Sequence, residues 1–421
     1  MKIHFIGIGG IGVSSLAQYY LLKGNEISGS DVYDSEIINK LREMGAKITI
    51  GPNKEENIVD YDLVIYSPAI KESNPELSIA KERGIKTLSY PQALGDLTRE
   101  YFTIAVSGTH GKSTTTSMIS LILIEAGLDP TVIVGTKLKE FGNSNFRMGN
   151  SKYLVIEACE HEASFLNYNS DIGIILNIEE DHLDYYKNIE NIKKAFNDFA
   201  LLIKEKGTLI KNKNLDIKVD RETIDFSFEE VNIVKGFVNV PGEHNLMNAL
   251  VGVKVARLLN ISDEISLKAL SKFKGTWRRF DEHILKNDNI LIDDYAHHPT
   301  EILTTLKGIR EKYPHKKIYC VFQPHQYQRT FLLLDGFINT FKESIDKKLV
   351  DKLFIIDIYD VLGREDPETK SKISSEKIAK MVPGLEYVEK DKLFNQLNNY
   401  EVVVFMGAGS IYNLSQEFLK K

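Results

Sequence analysis

The stretch with the clearest chemical potential is Ile104-Ala-Val-Ser-Gly-Thr-His-Gly-Lys-Ser-Thr-Thr-Thr116. It opens on apolar residues that predict the end of a buried strand, and Ser113 to Ala126 predicts a helix that ends at Gly127. A glycine-rich loop between a strand and a helix binds phosphate, because backbone N–H groups and the positive end of the helix face the anion. Lys112 would meet the outer phosphates, and the Ser113 hydroxyl would hold Mg²⁺. The stretch therefore predicts a site for a nucleoside triphosphate.

This loop is a short variant of the phosphate-binding pattern. The usual pattern begins with Gly or Ala five residues before its Gly-Lys pair, where this chain has Val106, and the glycine is Gly108 instead. The alternative is an ordinary glycine-rich turn between a strand and a helix. We also expect Lys112 to be solvated, because its charge would be used only on phosphates.

A second glycine turn lies near the N-terminus. Gly7, Gly9 and Gly12 match G-x-G-x-x-G directly after the predicted strand Lys2–Ile6, and Asp31 ends the next strand. This spacing is typical of dinucleotide-binding folds, in which the acid binds a ribose. Binding of NAD therefore stays open for this segment, as does a turn that only packs a helix on a strand.

Two further polar residues follow predicted strands. Glu157 ends the strand that begins at Tyr153, and His182 follows the strand Asp171–Asn177 within Glu-Glu-Asp-His. Ligands of open α/β sheets bind beyond the carboxyl ends of the strands. We therefore expect Glu157 and His182 to converge with the phosphate loop, with His182 as a candidate ligand rather than a structural histidine.

The composition narrows the class of protein. The chain has 421 residues, of which 43% are hydrophobic and 27% charged, with a net charge of −6. These values suit a soluble globular protein and give no basic surface for nucleic acid. Cys159 and Cys320 are the two cysteines, too few for a disulfide framework and suited to a reducing cytoplasm. With no predicted membrane span or signal segment, we expect a cytoplasmic protein.

Strands and helices alternate along the chain, which predicts α/β domains built on mostly parallel sheets. The length suggests about three domains. We place a Rossmann-like domain at 1–98, a central ATP-binding domain at 99–283, and a C-terminal α/β domain at 284–421. The weakly patterned stretch 204–242 predicts short strands, and Gly84 to Leu88 predicts a strand of the first domain.

Five motifs in order along the chain together resemble the Mur ligases. They are Gly7-Ile-Gly-Gly-Ile-Gly12, Gly108-Thr-His-Gly-Lys-Ser-Thr114, Asn177-Ile-Glu-Glu-Asp-His-Leu-Asp184, Gly242-Glu-His-Asn-Leu-Met-Asn-Ala249 and Asp293-Asp-Tyr-Ala-His-His-Pro-Thr-Glu301. The likeness covers nearly the whole chain and is strongest to the alanine-adding members. It implies the three-domain Mur ligase architecture: a Rossmann-like N-terminal domain, a central P-loop ATPase-type domain and a Rossmann-like C-terminal domain.

The resemblance also implies an activity. Such a ligase joins L-alanine to the carboxylate of UDP-N-acetylmuramate through an acyl phosphate, using ATP and Mg²⁺, in cytoplasmic peptidoglycan precursor synthesis. The expected partners are these small molecules, without nucleic acid or membrane, and the expected state is a monomer or weak dimer.

The resemblance assigns roles to residues in four groups. ATP would be bound by Gly108, Thr109, His110, Gly111, Lys112, Ser113, Thr114, His244, Asn245, Asn248, Arg279 and Asp294. The UDP part of the acceptor would be bound by Gly9, Gly10, Ile11, Asp31, Ser67 and Ala69. The amino acid would be bound by Tyr295, His297, His325 and Arg329. Mg²⁺ would be held by Ser113, Glu157 and His182, and the catalytic set would be Lys112, Glu157, His182 and Arg279.

Three positions depart from the family pattern. Cys159 stands where the family has Asp, Gln326 where it has Arg, and Ser410 where it has Asp. One alternative is therefore a related ligase that adds another amino acid or a recycled murein peptide to UDP-N-acetylmuramate. Two others are an NAD-dependent oxidoreductase built on the first domain and a non-catalytic ATP-binding module.

Overall fold

The computed structural model describes residues 1–286, 288–361 and 367–420. Its strands are β1 (Lys2–Ile6), β2 (Glu26–Asp31), β3 (Lys47–Ile50), β4 (Leu63–Tyr66), β5 (Thr87–Ser89), β6 (Phe102–Ser107), β7 (Thr131–Leu138), β8 (Ser144–Arg147), β9 (Tyr153–Glu157), β10 (Ile172–Ile175), β11 (Thr208–Asn212), β12 (Glu222–Phe226), β13 (Asp281–Ile284), β14 (Ile290–Asp294), β15 (Ile318–Phe322), β16 (Lys352–Ile355), β17 (Leu385–Tyr387) and β18 (Val402–Met406).

Helices alternate with these strands along most of the chain. They are α1 (Ile11–Leu22), α2 (Glu36–Glu43), α3 (Pro75–Glu82), α4 (Tyr90–Glu100), α5 (Lys112–Glu125), α6 (Leu183–Tyr186), α7 (Ile189–Leu201), α8 (Glu243–Leu258), α9 (Asp263–Lys272), α10 (Pro299–Lys312), α11 (Tyr327–Leu332), α12 (Leu334–Asp346), α13 (Pro367–Lys372), α14 (Ser375–Met381), α15 (Leu393–Gln396) and α16 (Ile411–Leu419).

The first sheet has the order β3-β2-β1-β4-β5 in the described chain, and its strand pairs are parallel. β1 is central and buried after its first residue, as expected of a strand covered on both faces. The chain reverses direction across the sheet after β3, so the carboxyl ends of β1 and β4 flank the crevice where such folds bind ligands. The Rossmann-like prediction for this part of the chain is confirmed.

The second sheet has the order β12-β11-β10-β6-β9-β7-β8 in the described chain. β6, which leads into the phosphate loop, lies between β10 and β9 and is parallel to both. At one edge β8 pairs antiparallel with β7. The phosphate loop therefore leaves the sheet beside the ends of the two strands that precede Glu157 and Asn177.

The third sheet has the order β13-β14-β18-β15-β16-β17 in the described chain. It is parallel except for β13, which pairs antiparallel with β14. Because β13 begins at Asp281, the third sheet begins there along the chain. Apolar clusters cover both of its faces: one includes Ile292 and Phe322, the other Leu291 and Phe405. The predicted mixed α/β class with mostly parallel sheets is confirmed in all three sheets.

The chain divides into two compact units. The first consists of Met1–Ile178, Ile192–Ile233 and Asn248–Ser271, and the second of Glu179–Asn191, Val234–Met247 and Lys272–Lys421. Two segments that precede the third sheet in sequence thus belong with it. Among the described residues, no helix combines the length and the apolar character needed to cross a membrane.

Most predicted elements are present with shifted ends. The strand expected at Gly84–Leu88 forms instead at Thr87–Ser89, because Gly84 has a positive φ of 70° in the turn that ends α3. The stretch 204–242 holds the short strands β11 and β12, as predicted.

Candidate active site

The phosphate loop requires glycine at two of its positions. Gly108 has a φ of +143°, and a Cβ there would lie 2.9 Å from Cβ of Leu176. Gly111 has a φ of +84°, and its Cβ would lie 2.7 Å from Oδ1 of Asn248. Side chains rarely adopt such backbone angles, so both positions combine strain with lack of space. The loop is therefore packed tightly against β10 and α8.

Lys112, the first residue of α5, is largely buried, although we expect a solvated side chain from the sequence. Its side chain is 12% exposed, and its ammonium lies 2.9 Å from Oε2 of Glu160. It also donates to the carbonyls of Gly108 at 2.6 Å and Thr109 at 3.0 Å. Burial acts to lower the pKa of Lys112, but Glu160 and Glu157 outweigh it and hold the pKa above its ordinary value. The expectation of a solvated lysine was wrong, because the sequence does not reveal the partner acid.

Ser113 and Glu157 meet as predicted. The Ser113 hydroxyl donates to Oε2 of Glu157 at 2.7 Å, and the same oxygen accepts the N–H of Gly135 at 2.9 Å. A Cβ on Gly135 would lie 2.8 Å from that oxygen, so only glycine lets the carboxylate approach β7. A hydroxyl and a carboxylate at the start of a helix are the hard oxygen ligands that Mg²⁺ prefers. Gly135 was missed because β7 carries no motif.

Asn177 supports the phosphate loop from the end of β10. Its side-chain oxygen accepts the N–H of His110 at 2.8 Å, and its amide donates to the His110 carbonyl at 3.0 Å. Its backbone carbonyl accepts the N–H of Thr109 at 3.1 Å. The sequence motif around Asn177 does not by itself predict this role, although an amide that follows a strand end was the available signal.

Cys159 lies between the two acids of this site. Burial, followed by the neighbouring charge of Glu160, raises the pKa of its thiol to about 12. The thiol is therefore neutral at pH 7, and it supplies no charge to the site.

Three of the predicted ATP-binding residues, His244, Asn245 and Asn248, lie at the start of α8. Asn248 lies against Gly111 of the phosphate loop. His244 and Asn245 belong to the second unit. There the His244 ring packs on Gly242, whose Cβ would lie 2.5 Å from it, and Asn245 donates to the Pro241 carbonyl at 2.7 Å.

The N-terminal glycine turn is bound to Asp31. Oδ2 of Asp31 accepts the N–H of Gly9 at 2.8 Å, and a Cβ on Gly9 would lie 2.9 Å from that oxygen. Ser67 lies on the other side, where a Cβ on Gly7 would lie 3.1 Å from it. The Ser67 hydroxyl accepts the N–H of Ala69 at 3.3 Å. Gly10 and Ile11 begin α1 between these groups, so the predicted UDP residues lie together at the carboxyl edge of the first sheet.

The second unit brings together the four residues predicted to bind the amino acid, which are Tyr295, His297, His325 and Arg329. We call them the amino-acid group. The rings of Tyr295 and His297 lie 5.4 Å apart, and those of His297 and His325 lie 6.3 Å apart. Nη1 of Arg329 lies 3.4 Å from Nδ1 of His325. Burial lowers the pKa of His297 to about 4, against the opposing charge of Glu301. His297 is therefore neutral at pH 7, and Arg329 supplies positive charge to the group.

Arg279 and Asp294 adjoin this group. The Arg279 guanidinium lies over the Tyr295 ring at 5.3 Å and pairs with Glu301 at 3.2 Å. Asp294 accepts the N–H groups of Phe280 and Ala296, each at 2.8 Å. Burial raises the pKa of Asp294 to about 6, although Arg279 opposes the shift. Its carboxylate therefore fixes the turn that carries Tyr295.

His182 also belongs to the second unit, whereas Ser113 and Glu157 belong to the first. It begins α6 with a φ of +51°, and its Nε2 lies 3.6 Å from Oδ2 of Asp181. Its role as a metal ligand stays a prediction.

Three family descriptions match successive parts of the chain. They are the catalytic domain of the Mur ligase family over residues 2–102, the Mur ligase middle domain over 106–226, and the Mur ligase glutamate ligase domain over 278–409. The chain is also 41% identical to the UDP-N-acetylmuramate–L-alanine ligases of Clostridium acetobutylicum and Clostridium tetani, over 100% of this chain and 98% of each relative.

Solved structures agree. The crystal structure of the UDP-N-acetylmuramate–alanine ligase of Thermotoga maritima matches with a TM-score of 0.80 and 27% identity, over 100% of this chain and 98% of that one. A murein peptide ligase of Psychrobacter arcticus matches with a TM-score of 0.73 and 24% identity, over the same shares of both chains, which shows the fold alone. The chain belongs to the Mur ligase family.

Proposed function

We propose that this chain is an ATP-dependent ligase that joins L-alanine to the carboxylate of UDP-N-acetylmuramate. The observation that carries the proposal is the full-length identity of 41% to relatives that bear this activity in their names. The arrangement of the site supports it, because each chemical group that the reaction needs is present. Because these relatives are ligases that use a UDP-linked substrate, NAD binding is not needed to explain the N-terminal glycine turn. This disfavours the NAD-dependent oxidoreductase.

The reaction explains the phosphate loop. A carboxylate is a poor acceptor for an amine, so ATP first phosphorylates it, and the amine then attacks the acyl phosphate through an anionic intermediate. Both steps gather negative charge, which preorganised cations stabilise. Lys112 is the cation of the loop, and we propose that it exchanges Glu160 and the loop carbonyls for the outer phosphates of ATP. Arg279 would supply a second positive charge.

The donor set of the loop fits Mg²⁺. Ser113 and Glu157 offer a hydroxyl and a carboxylate within 2.7 Å of each other, and we propose that they hold the ion, with His182 as the ligand of a second one. A bound Mg²⁺ would neutralise phosphate charge during transfer. Gly135 serves the same purpose indirectly, since its N–H fixes the orientation of the Glu157 carboxylate.

The two remaining substrates would be recognised by the other groups. The glycine turn with Asp31 and Ser67 would bind the UDP part, using the amide groups at the start of α1 for its phosphates. Arg329 would bind the carboxylate of L-alanine, because its planar fork can donate to both oxygens. The neutral His297 and the nearby Tyr295 would complete that site.

Phosphate release tests the proposal directly. The protein is incubated with ATP, Mg²⁺ and UDP-N-acetylmuramate, and each of the twenty amino acids is added in turn. We expect release with L-alanine above all, and formation of UDP-N-acetylmuramoyl-L-alanine by mass spectrometry. Preference for a murein peptide would favour the recycling ligase instead. A lack of phosphate release with every amine tested would contradict both functions. We also propose that the protein works in the cytoplasm as a monomer or weak dimer and binds neither nucleic acid nor a membrane.

A further inference from the structure

The two residues before Asp181 are hydrogen-bonded to the start of α10 in the second unit. The Thr300 hydroxyl donates to Oε2 of Glu179 at 2.7 Å, and Nε2 of His298 lies 3.0 Å from the Glu180 carbonyl. Nδ1 of His298 accepts the N–H of Thr300 at 3.3 Å, so the ring carries its proton on Nε2 and donates it to Glu180. From the sequence, the one role predicted in this segment is that of His182 as a metal ligand.

Asp181, the next residue of this segment, makes two further contacts. Oδ1 of its carboxylate accepts from Nε of Arg329 at 3.2 Å and from the N–H of His182 at 2.7 Å. The Asp181 side chain is 7% exposed and that of Arg329 is 12% exposed. Two opposite charges removed from water to this extent interact more strongly than an exposed pair.

The point of attachment on the guanidinium carries the inference. Arg329 has donors on Nε and on both terminal nitrogens, and Asp181 takes the one on Nε. This contact fixes the plane of the guanidinium, which a free arginine would sample over many rotamers. The two terminal nitrogens lie at the opposite end of the fork, where a carboxylate binds with two parallel hydrogen bonds.

We propose that Asp181 is a positioning residue of the amino-acid site: it holds Arg329 by Nε and so directs the end of the fork with the two terminal nitrogens, one of which also lies 3.4 Å from Nδ1 of His325, towards the carboxylate of the incoming amino acid. The role rests on the proposed function, because it concerns the same substrate. It also gives the residue before His182 a role in amino-acid binding that is separate from ATP.

The test is the effect of Asp181→Asn on the KM of each substrate. Asn keeps the shape but removes the charge, so Arg329 loses its anionic partner and is held only by a neutral acceptor. We expect the KM for L-alanine to rise about tenfold or more, as for other broken buried charge pairs. The KM values for ATP and UDP-N-acetylmuramate should stay within about twofold. An unchanged KM for L-alanine, or an equal rise for all three substrates, would overturn the proposal.

A double-mutant cycle separates positioning from general stability. Because Asp181 acts through Arg329, Asp181→Asn should raise the KM for L-alanine much less in an Arg329→Lys background than in the wild type. Fully additive effects would contradict the role. Asp351→Asn is the control, since it removes the charge from a more exposed ion pair with Arg310 at 2.9 Å in the same unit, and it should leave the KM for L-alanine unchanged.

A measurement without turnover keeps the inference apart from the proposed function. In protein labelled with ¹⁵N-arginine, the Nε–H of Arg329 should exchange slowly with water, and Asp181→Asn or Asp181→Ser should accelerate that exchange severalfold. Equal exchange in wild type and folded variants would overturn the inference even if L-alanine proves to be the substrate. Absence of any ligase activity in the wild type would instead overturn the proposed function, while the exchange result still decides the contact.

Discussion

The side chain of Asn177 makes hydrogen bonds to both backbone groups of His110. Its oxygen accepts the His110 N–H at 2.8 Å, and its amide donates to the His110 carbonyl at 3.0 Å. Asn177→Ala should therefore leave the loop without its support. Two lost hydrogen bonds of about 1 kcal/mol each predict a rise in the KM for ATP of about tenfold or more. The KM for L-alanine should change little. Steady-state kinetics with each substrate varied checks this, with Asn197→Ala on the exposed face of α7 as control; equal effects of the two variants would contradict it.

Removal of the Lys112 charge should abolish phosphate release and also destabilise the protein. In Lys112→Met the Glu160 side chain, 4% exposed, would keep a buried charge without its cation, which costs about 3–5 kcal/mol. We therefore expect a lower Tm for Lys112→Met and recovery of much of it in the double variant with Glu160→Gln. Neither variant should release phosphate. Thermal unfolding and activity are both measured; an unchanged Tm in the single variant would mean that the ion pair contributes nothing to folding.

Glu157→Gln and His182→Ala should each raise the Mg²⁺ requirement. Loss of an outer-shell partner alone typically costs 10–100-fold in metal affinity, so loss of an expected ligand should cost no less than about tenfold. Titration of phosphate release with Mg²⁺ checks both variants, with the exposed Glu140→Gln as control. A titration curve like that of the wild type would remove the residue concerned from the metal site.

The local pattern was enough to predict the strand-turn-helix units. Hydrophobic periodicity, glycine spacing and the polar residues at strand ends predict the turns at Gly9 and Gly108 and the parallel sheets. All three are properties of residues that are neighbours in sequence. What was missed depends on pairs distant in sequence. Glu160 pairs with Lys112 across 48 residues, and Asp181 pairs with Arg329 across 148. No local pattern encodes such contacts, which is why Lys112 was expected to be solvated.

Glu76 gives the first unit a pH dependence. Its carboxylate is fully buried and accepts from Asn57 at 2.6 Å and from Ser30, with His4 3.4 Å away. Burial acts to raise the pKa of Glu76, but these hydrogen bonds outweigh it and lower the pKa to about 2. The folded pKa lies below the unfolded one, so the group stabilises the fold above about pH 4.5, and this contribution is lost as the pH falls towards 2.

The ionised Glu76 carboxylate contributes about 3 kcal/mol to folding at neutral pH, because each tenfold difference in acid dissociation constant between the folded and unfolded states is worth about 1.36 kcal/mol. Glu76→Gln should therefore lower the free energy of unfolding at pH 7 and lose its disadvantage as the pH falls through this range. Denaturant unfolding between pH 7 and pH 2.5 measures both proteins. A difference in free energy that stays constant over the range would show that the charge of Glu76 is not involved.

The last prediction concerns Gln326, which precedes α11 and stands where the resemblance to the Mur ligases implies an arginine. It follows His325 of the amino-acid group and has a φ of +70°, with its N–H donated to the Tyr359 carbonyl at 3.0 Å. A second guanidinium at position 326, in addition to that of Arg329, would add positive charge near the substrate carboxylate. A hydrogen bond to a charged group is worth about 1.5–3 kcal/mol against about 1 for a neutral one. The difference of about 0.5–2 kcal/mol means that Gln326→Arg should lower the KM for L-alanine by about 2–30-fold, whereas Gln328→Arg, two residues along the chain, should not. An equal or higher KM in Gln326→Arg would mean that position 326 does not reach the carboxylate, or that the natural amine is not L-alanine.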